Sequence, residues 1–185
     1  MILNRFEDRS VIVTGAGSGF GEATAKRFAA EGAKVVVSDI DQQSADRVVE
    51  NIVKEGGTAI SVDCDVSEES QVERLIHQAS SKHGSVDVMV NNAGYSHMSK
   101  LLWKITVEEF DAVFAVNVRG VFLGCKYVIP LMIDQKAGAI VNIASVGAIA
   151  PRAGVTPYNG TKGAVLTMTK GLAMETARHG IRVNA

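Results

Sequence analysis

Residues 10–32 read SVIVTGAGSGFGEATAKRFAAEG. Ser10 to Thr14 form a short β-rich apolar run, the pattern of a buried strand. Further on, Ala25, Phe28 and Ala29 fall on one face while Lys26 and Arg27 fall off it. That is helical spacing, and Gly32 closes it. Gly15, Gly17, Gly19 and Gly21 lie in between. A strand that turns through glycines directly into an amphipathic helix raises one question: does the alternation continue?

It does. AKVVVSD (33–39) reads as a second strand, followed by a polar helix over 42–55 that Gly56 and Gly57 end. TAISVDCDV (58–66) is a third strand and 68–83 a helix. VDVMVNN (86–92) is a fourth strand. TVEE (106–109) is a capping box that opens a helix running toward Pro130. GAIVNIAS (138–145) is a fifth strand. Thr156 reads as an N-cap and Pro157 as the first position of a helix reaching His179. IRVNA (181–185) begins a sixth strand. Strands apolar on both faces, alternating with helices, imply a parallel sheet covered on both sides. Right-handed crossovers then predict a doubly wound α/β fold of Rossmann type, strand order 3-2-1-4-5-6. No linker composition divides the chain, so 1–185 reads as a single domain.

Composition narrows the function. The net charge of −1 and pI near 6.4 give no basic excess for nucleic acid or an anionic membrane surface. The apolar runs read as too short to span a bilayer. MILNRFEDRS, at the N-terminus, lacks the apolar core of a signal peptide. Cys64 and Cys125 show no CxxC spacing and read as buried, reduced thiols of a cytoplasmic protein. His77, His83, His97 and His179 form no ligand pattern, so no metal is expected.

The glycine turn fits TGxxxGxG, carried by Gly15, Gly19 and Gly21, and not the strict GxGxxG spacing. Its physical use is the same. Glycines allow a tight strand-to-helix turn, and a pyrophosphate can approach the helix N-terminus, where N–H groups and the dipole favour anions. Gly17, Ser18 and Phe20 complete the candidate phosphate loop. Asp39 ends the second strand. A carboxylate there accepts hydrogen bonds from both hydroxyls of an adenosine ribose and repels a 2′-phosphate. Ser18 and Ile40 are neutral where a cation would assist that phosphate. NAD is therefore favoured over NADP. Asp65 and Val66 end the third strand at the same sheet edge, as an adenine contact or as turn residues.

YNGTK (158–162) sets Tyr158 and Lys162 one helical turn apart, on one face. A free phenol has a pKa near 10, so it is a poor proton acceptor at neutral pH. An adjacent ammonium and a cationic nicotinamide together favour the phenolate. Gly160 and Gly163 each cost about 1 kcal/mol of helix stability relative to Ala, which suggests that something packs close to them.

The glycine loop, NNAG (91–94), Asn117, Ser145 and YxxxK (158–162) occur in this order. Together they resemble the short-chain dehydrogenases/reductases, in the branch of 3-oxoacyl-carrier-protein reductases and sugar or secondary-alcohol dehydrogenases. The resemblance covers essentially the whole chain. It implies Tyr158 as general acid/base, with Lys162 lowering its pKa and holding the nicotinamide ribose. It implies Ser145 hydrogen-bonded to the substrate oxygen, and Asn117 supporting a water on the proton path. It places cofactor contacts at Gly15, Gly19, Gly21, Asp39, Asp65, Val66 and the turn Asn92-Ala93-Gly94, with Asn91 as a brace. Read alone, Asn117 is equally a helix kink or a satisfied polar group.

The expected partner is a small alcohol or carbonyl compound. Family members continue past the sixth strand, where this chain stops, with a turn at the nicotinamide and a mobile substrate loop. Residues 95–105 are expected to form one wall of the pocket, with Trp103 either touching substrate or packing. The helix from Val107 is apolar nearly all round and predicts a homodimer or homotetramer. The alternatives are an NADP-dependent 3-oxoacyl-thioester reductase and a non-catalytic dinucleotide sensor or scaffold.

Overall fold

The computed structural model describes residues 4–185; Met1–Leu3 of the N-terminal stretch lie outside them. Six parallel strands are β1 (Ser10–Thr14), β2 (Lys34–Asp39), β3 (Thr58–Asp63), β4 (Val88–Asn91), β5 (Gly138–Asn142) and β6 (Ile181–Asn184). They form one sheet in the order β3-β2-β1-β4-β5-β6, as expected for the Rossmann type. The strand order reverses between β1 and β4, and a crevice opens there at the carboxyl ends of the strands. Helices α1 (Gly19–Ala30), α2 (Gln42–Lys54) and α3 (Glu69–His83) connect the first four strands. Helices α4 (Val107–Phe114), α5 (Gly120–Gln135) and α6 (Thr156–Thr176) connect the rest.

Two cores sandwich the sheet. Val11, Val13, Val35 and Val37 face one side with Ala25, Ala29, Ala45 and Val48. Ile12, Val36, Met89 and Ile140 face the other, with Leu75, Val128, Met132 and Val165. Alternate residues of one strand thus feed opposite layers, the period-two rule of a doubly covered sheet.

Four boundaries depart from expectation. The third strand stops at Asp63, not at 66, because its register partner Asp39 is the last residue of β2. The fifth stops at Asn142, opposite Asn91 where β4 ends. Thr156 is already helical, and the preceding Val155 is the N-cap, its carbonyl accepting from the Asn159 N–H at 3.0 Å. Finally, the helix from Val107 does not stop at Pro130. It continues through a π-helical turn at Ala115–Arg119 to Gln135, and Pro130 lies inside α5.

Within the joined helix Val107–Gln135 an 18-residue stretch has mean hydropathy 1.5, and by length and composition the helix would suffice to cross a membrane. This corrects the expectation of short apolar runs. Its buried side chains Val121, Leu123, Val128 and Met132 belong to the core beneath the sheet, and charged Arg119, Lys126 and Asp134 interrupt it.

Candidate active site

The crevice is a cavity of about 900 Å³ at the carboxyl ends of β1, β2, β4 and β5. Thirteen residues singled out from the sequence line it: Gly15, Ser18, Phe20, Asp39, Ile40, Asp65, Val66, Asn92, Ala93, Gly94, Ser145, Tyr158 and Lys162. Gly17, Gly19, Gly21 and Asn117 do not line it, and the structure gives each a different place.

The glycine loop is built by close approach. Gly15 has φ +60, and a Cβ on it would lie 2.8 Å from the Cα of Ala93. A Cβ on Gly21 would lie 2.1 Å from the Gly15 carbonyl oxygen. Gly19, with φ +56, meets nothing within 4 Å, so its backbone faces open space. Ser18 is the N-cap of α1 yet makes no side-chain cap bond. The first-turn N–H groups of α1 therefore gain no side-chain acceptor and remain available to an anion. A dinucleotide pyrophosphate fits this arrangement.

Two side chains fix the Gly17 peptide. Its N–H donates to Asp39 Oδ2 at 2.8 Å, and its carbonyl accepts from Arg47 Nη2 at 2.8 Å. Asp39 Oδ1 accepts the Asp41 N–H at 3.0 Å. Each carboxylate oxygen keeps a lone pair, so ribose hydroxyls can still donate to it. Arg47 also pairs with Glu22 at 2.8 Å, and Glu22 with Lys26 at 2.6 Å. Hydrogen bonds from Arg47 and then Lys26 hold the Glu22 carboxyl down to about 2. Arg47 escaped the sequence reading, which looked for a cation only at Ser18 and Ile40.

Asn91 is the expected brace, and Asn92, expected as a cofactor contact, is also a tie. Asn91 Nδ2 donates to Asn142 Oδ1 at 2.8 Å, bracing β4 to β5 inside the core. Asn92 Nδ2 donates to the Thr14 and Gly15 carbonyls at 2.8 and 3.0 Å, tying the fourth strand's turn to the glycine loop.

At the other end of the cavity, Lys162 Nζ donates to the Ile143 carbonyl at 2.6 Å and lies 5.7 Å from the centroid of the Tyr158 ring. The amine is buried, and burial lowers its pKa. Ser145 caps the short 3₁₀ turn Val146–Ala148, its Oγ accepting the Gly147 N–H at 3.1 Å. Its hydroxyl proton stays free to donate. Asn117 sits in the π-helical turn, fully buried. Its Oδ1 accepts the Tyr95 N–H at 2.8 Å, and its Nδ2 donates to the Tyr95 carbonyl at 2.8 Å and to Thr161 Oγ1 at 3.1 Å. A Cβ on Gly94 would lie 3.5 Å from Asn117 Oδ1 and 3.6 Å from Lys162 Nζ, so the two polar groups flank one glycine. π-turns of this kind concentrate at functional sites.

The amino-acid pattern matches the family model described as short chain dehydrogenase over residues 9–185. The chain belongs to the short chain dehydrogenase family. It is 43% identical over 180 residues to 2-(R)-hydroxypropyl-CoM dehydrogenase of Xanthobacter autotrophicus, covering 96% of this chain and 72% of that protein. Its fold superposes on the crystal structure of 3-ketoacyl-(acyl-carrier-protein) reductase from Brucella melitensis complexed with NADH. The TM-score there is 0.91 and the identity 45%, covering 96% of this chain and 73% of that one. It also superposes on a gluconate 5-dehydrogenase from Burkholderia cenocepacia in complex with NADP and tartrate. Here the TM-score is 0.92 and the identity 34%, covering 99% and 71%.

As a short chain dehydrogenase, the chain has a cavity wall that its sequence announced only in part. Tyr95 and Ser96 line the cavity, as the expected pocket wall requires. Trp103 does not; it is 78% exposed on the 3₁₀ turn Leu102–Lys104. Arg152 and Val155, on the loop that leads into α6, and Asn159, in the first turn of α6, line it too and were not singled out from the sequence. Among the described residues no close neighbour meets Gly160 or Gly163, since a Cβ on either would find nothing within 4 Å.

Proposed function

We propose that this short chain dehydrogenase interconverts a secondary alcohol and its ketone with NAD as hydride carrier and Tyr158 as general acid/base. The observation that carries the reading is the shared cavity. The glycine loop and Asp39 line one end, and Ser145, Tyr158 and Lys162 the other. A bound nicotinamide dinucleotide would supply or accept the hydride. The chain's own residues would position the reactants and move the proton. Ser145 would donate its hydroxyl proton to the substrate oxygen. Tyr158 would take the alcohol proton, or return it in reduction. Lys162, held against the Ile143 carbonyl, would place its positive charge beside the phenol and stabilise the anion. Asn117 would hold the Tyr95 segment and Gly94 against Lys162 rather than touch the substrate.

Asp39 supports NAD, because a carboxylate repels a 2′-phosphate. One observation favours NADP as a second reading: the Arg47 guanidinium against the Gly17 carbonyl. Glu22 already occupies that guanidinium, which weakens its pull on a further anion. Fluorescence titration of NADH and NADPH decides between them. Tighter NADH binding, unchanged by Arg47→Ala, supports the first reading; tighter NADPH binding lost in Arg47→Ala supports the second.

Self-association in a cytoplasmic setting belongs to the same proposal. Phe114, Val118, Phe122 and Met168 line an open apolar groove between the π-turn region and α6. Phe110 and Phe122 are 41% and 49% exposed. A second copy packing here would cover these rings and approach Gly160 and Gly163. A monomer mass in light scattering, independent of concentration, would count against it.

A further inference from the structure

We infer that Arg152 is an anion-binding residue of the substrate end of the cavity, and that the substrate is a secondary alcohol or ketone bearing a carboxylate or sulfonate. This rests on the proposed reading of the site. Four charged side chains line the cavity: Asp39, Asp65, Lys162 and Arg152. Asp39 ends β2 and is bonded to the glycine loop, and Asp65 lies in the loop that follows β3. Lys162 is buried and committed to the Ile143 carbonyl and the Tyr158 ring. Arg152 alone is a cation with nothing assigned to it. Arg152 is exposed, and its side chain makes no hydrogen bond or ion pair with any described residue; Arg119 and Arg182 are likewise exposed and unpaired, but of these three only Arg152 lines the cavity.

Its backbone is held in place. The Arg152 carbonyl accepts from Asn159 Nδ2 at 2.8 Å, and Asn159 is the residue after Tyr158. Two residues on, the Gly154 carbonyl accepts the Lys100 N–H at 3.0 Å. Gly154 has φ +83, and a Cβ there would lie 2.2 Å from Ser99 Oγ, so the loop adopts a turn that only glycine fits. The loop thus presents a guanidinium from a backbone anchored on both sides. Val146 and Val155 supply apolar wall in the same cavity. A planar guanidinium beside apolar wall recognises an oxyanion with two parallel N–H bonds, a geometry a water molecule cannot match.

The test compares β-, γ- and δ-hydroxy acids carrying a secondary alcohol with their methyl esters, and adds a β-hydroxy sulfonate. The purified protein is assayed with NAD as wild type, Arg152→Met and Arg152→Lys. At least one acid is expected to exceed its ester by about tenfold or more in kcat/KM. Arg152→Met should erase that preference while leaving ester turnover and NADH affinity within about twofold. Arg152→Lys should restore part of it. The sulfonate arm shows which oxyanion is favoured. Calorimetric binding of the acids to the protein–NADH complex gives a readout that needs no turnover. Equal treatment of acid and ester, a preference that survives in Arg152→Met, or the absence of acid binding to the NADH complex overturns the inference. Weakened NADH binding by Arg152→Met also overturns it, since Arg152 would then be a cofactor contact. Turnover of neutral alcohols alone sinks the anion site but leaves the dehydrogenase reading intact. Failure to bind NADH or NADPH at all sinks the dehydrogenase reading.

Discussion

In the proposed mechanism Lys162 acts only while charged, and its burial works against the charge. Desolvation lowers its pKa from the usual 10.5. A lowered value means that the folded protein loses this proton sooner as pH rises. The alkaline limb of the kcat/KM profile is therefore expected below 10.5, and a limb at or above that value would contradict the assignment. At this scale the sequence was most legible where partners share a helix face: Tyr158 and Lys162 are one turn apart whatever the tertiary fold. It was least legible where a contact joins separate elements. Arg47 reaches Gly17 from another helix, and Asn159 ties down Arg152 by a bond that no spacing rule announces. Asn117 stood as either a functional or a merely satisfied polar group. In the structure both ends of its side-chain amide are bonded, to Tyr95 and Thr161, which is compatible with either reading.

Elements meet through small residues at the places that aim the site. On α5, a Cβ at Gly124 would lie 2.3 Å from Asn91 Oδ1 and 3.0 Å from Met89 Cε, both on β4. A Cβ at Gly120 would lie 2.8 Å from Val66 Cγ2, in the loop that follows β3. Gly124→Ala should cost about 1–3 kcal/mol through overpacking, seen as a lower urea midpoint at unchanged m-value. An unchanged midpoint would mean that α5 can slide without penalty. Strand boundaries misled the sequence reading for a related reason. Cys64 and Val66 are as buried as strand residues, so the apolar pattern runs on past Asp63. What ends β3 is the loss of a partner, because β2 has turned away at Asp39. Burial leaves a trace in the sequence; pairing does not. Pro130 likewise reads as a stop, yet packing on the core carries α5 through it to Gln135.

On the scale of the whole molecule, protonation reports on the core. Burial pushes the Cys64 thiol up to about 11 and the Cys125 thiol up to about 12, from a usual value of 9.0. Above pH 9 the unfolded chain ionises while the folded chain keeps both protons. Their contribution is therefore fully present below that pH and is lost as pH rises through the folded values. Lys162 acts oppositely between its lowered value and 10.5, so the thiol effect is isolated by difference. The wild type should lose stability to urea more steeply between pH 9 and 11 than Cys64→Ala/Cys125→Ala does; parallel slopes would contradict the buried-thiol account. The doubly wound class, by contrast, was readable from the alternation alone, because right-handed crossovers leave few arrangements for a doubly covered parallel sheet; the choice of 3-2-1 over 2-1-3 in the first half was not. The central claim concerns one oxygen in this framework, the phenol of Tyr158. Its most direct test is the turnover of Tyr158→Phe, with NADH binding titrated on the same preparation. The account predicts NADH affinity within about twofold of wild type and kcat lowered by at least about a hundredfold, the loss of a general acid/base. Undiminished kcat in a protein that binds NADH normally would contradict it.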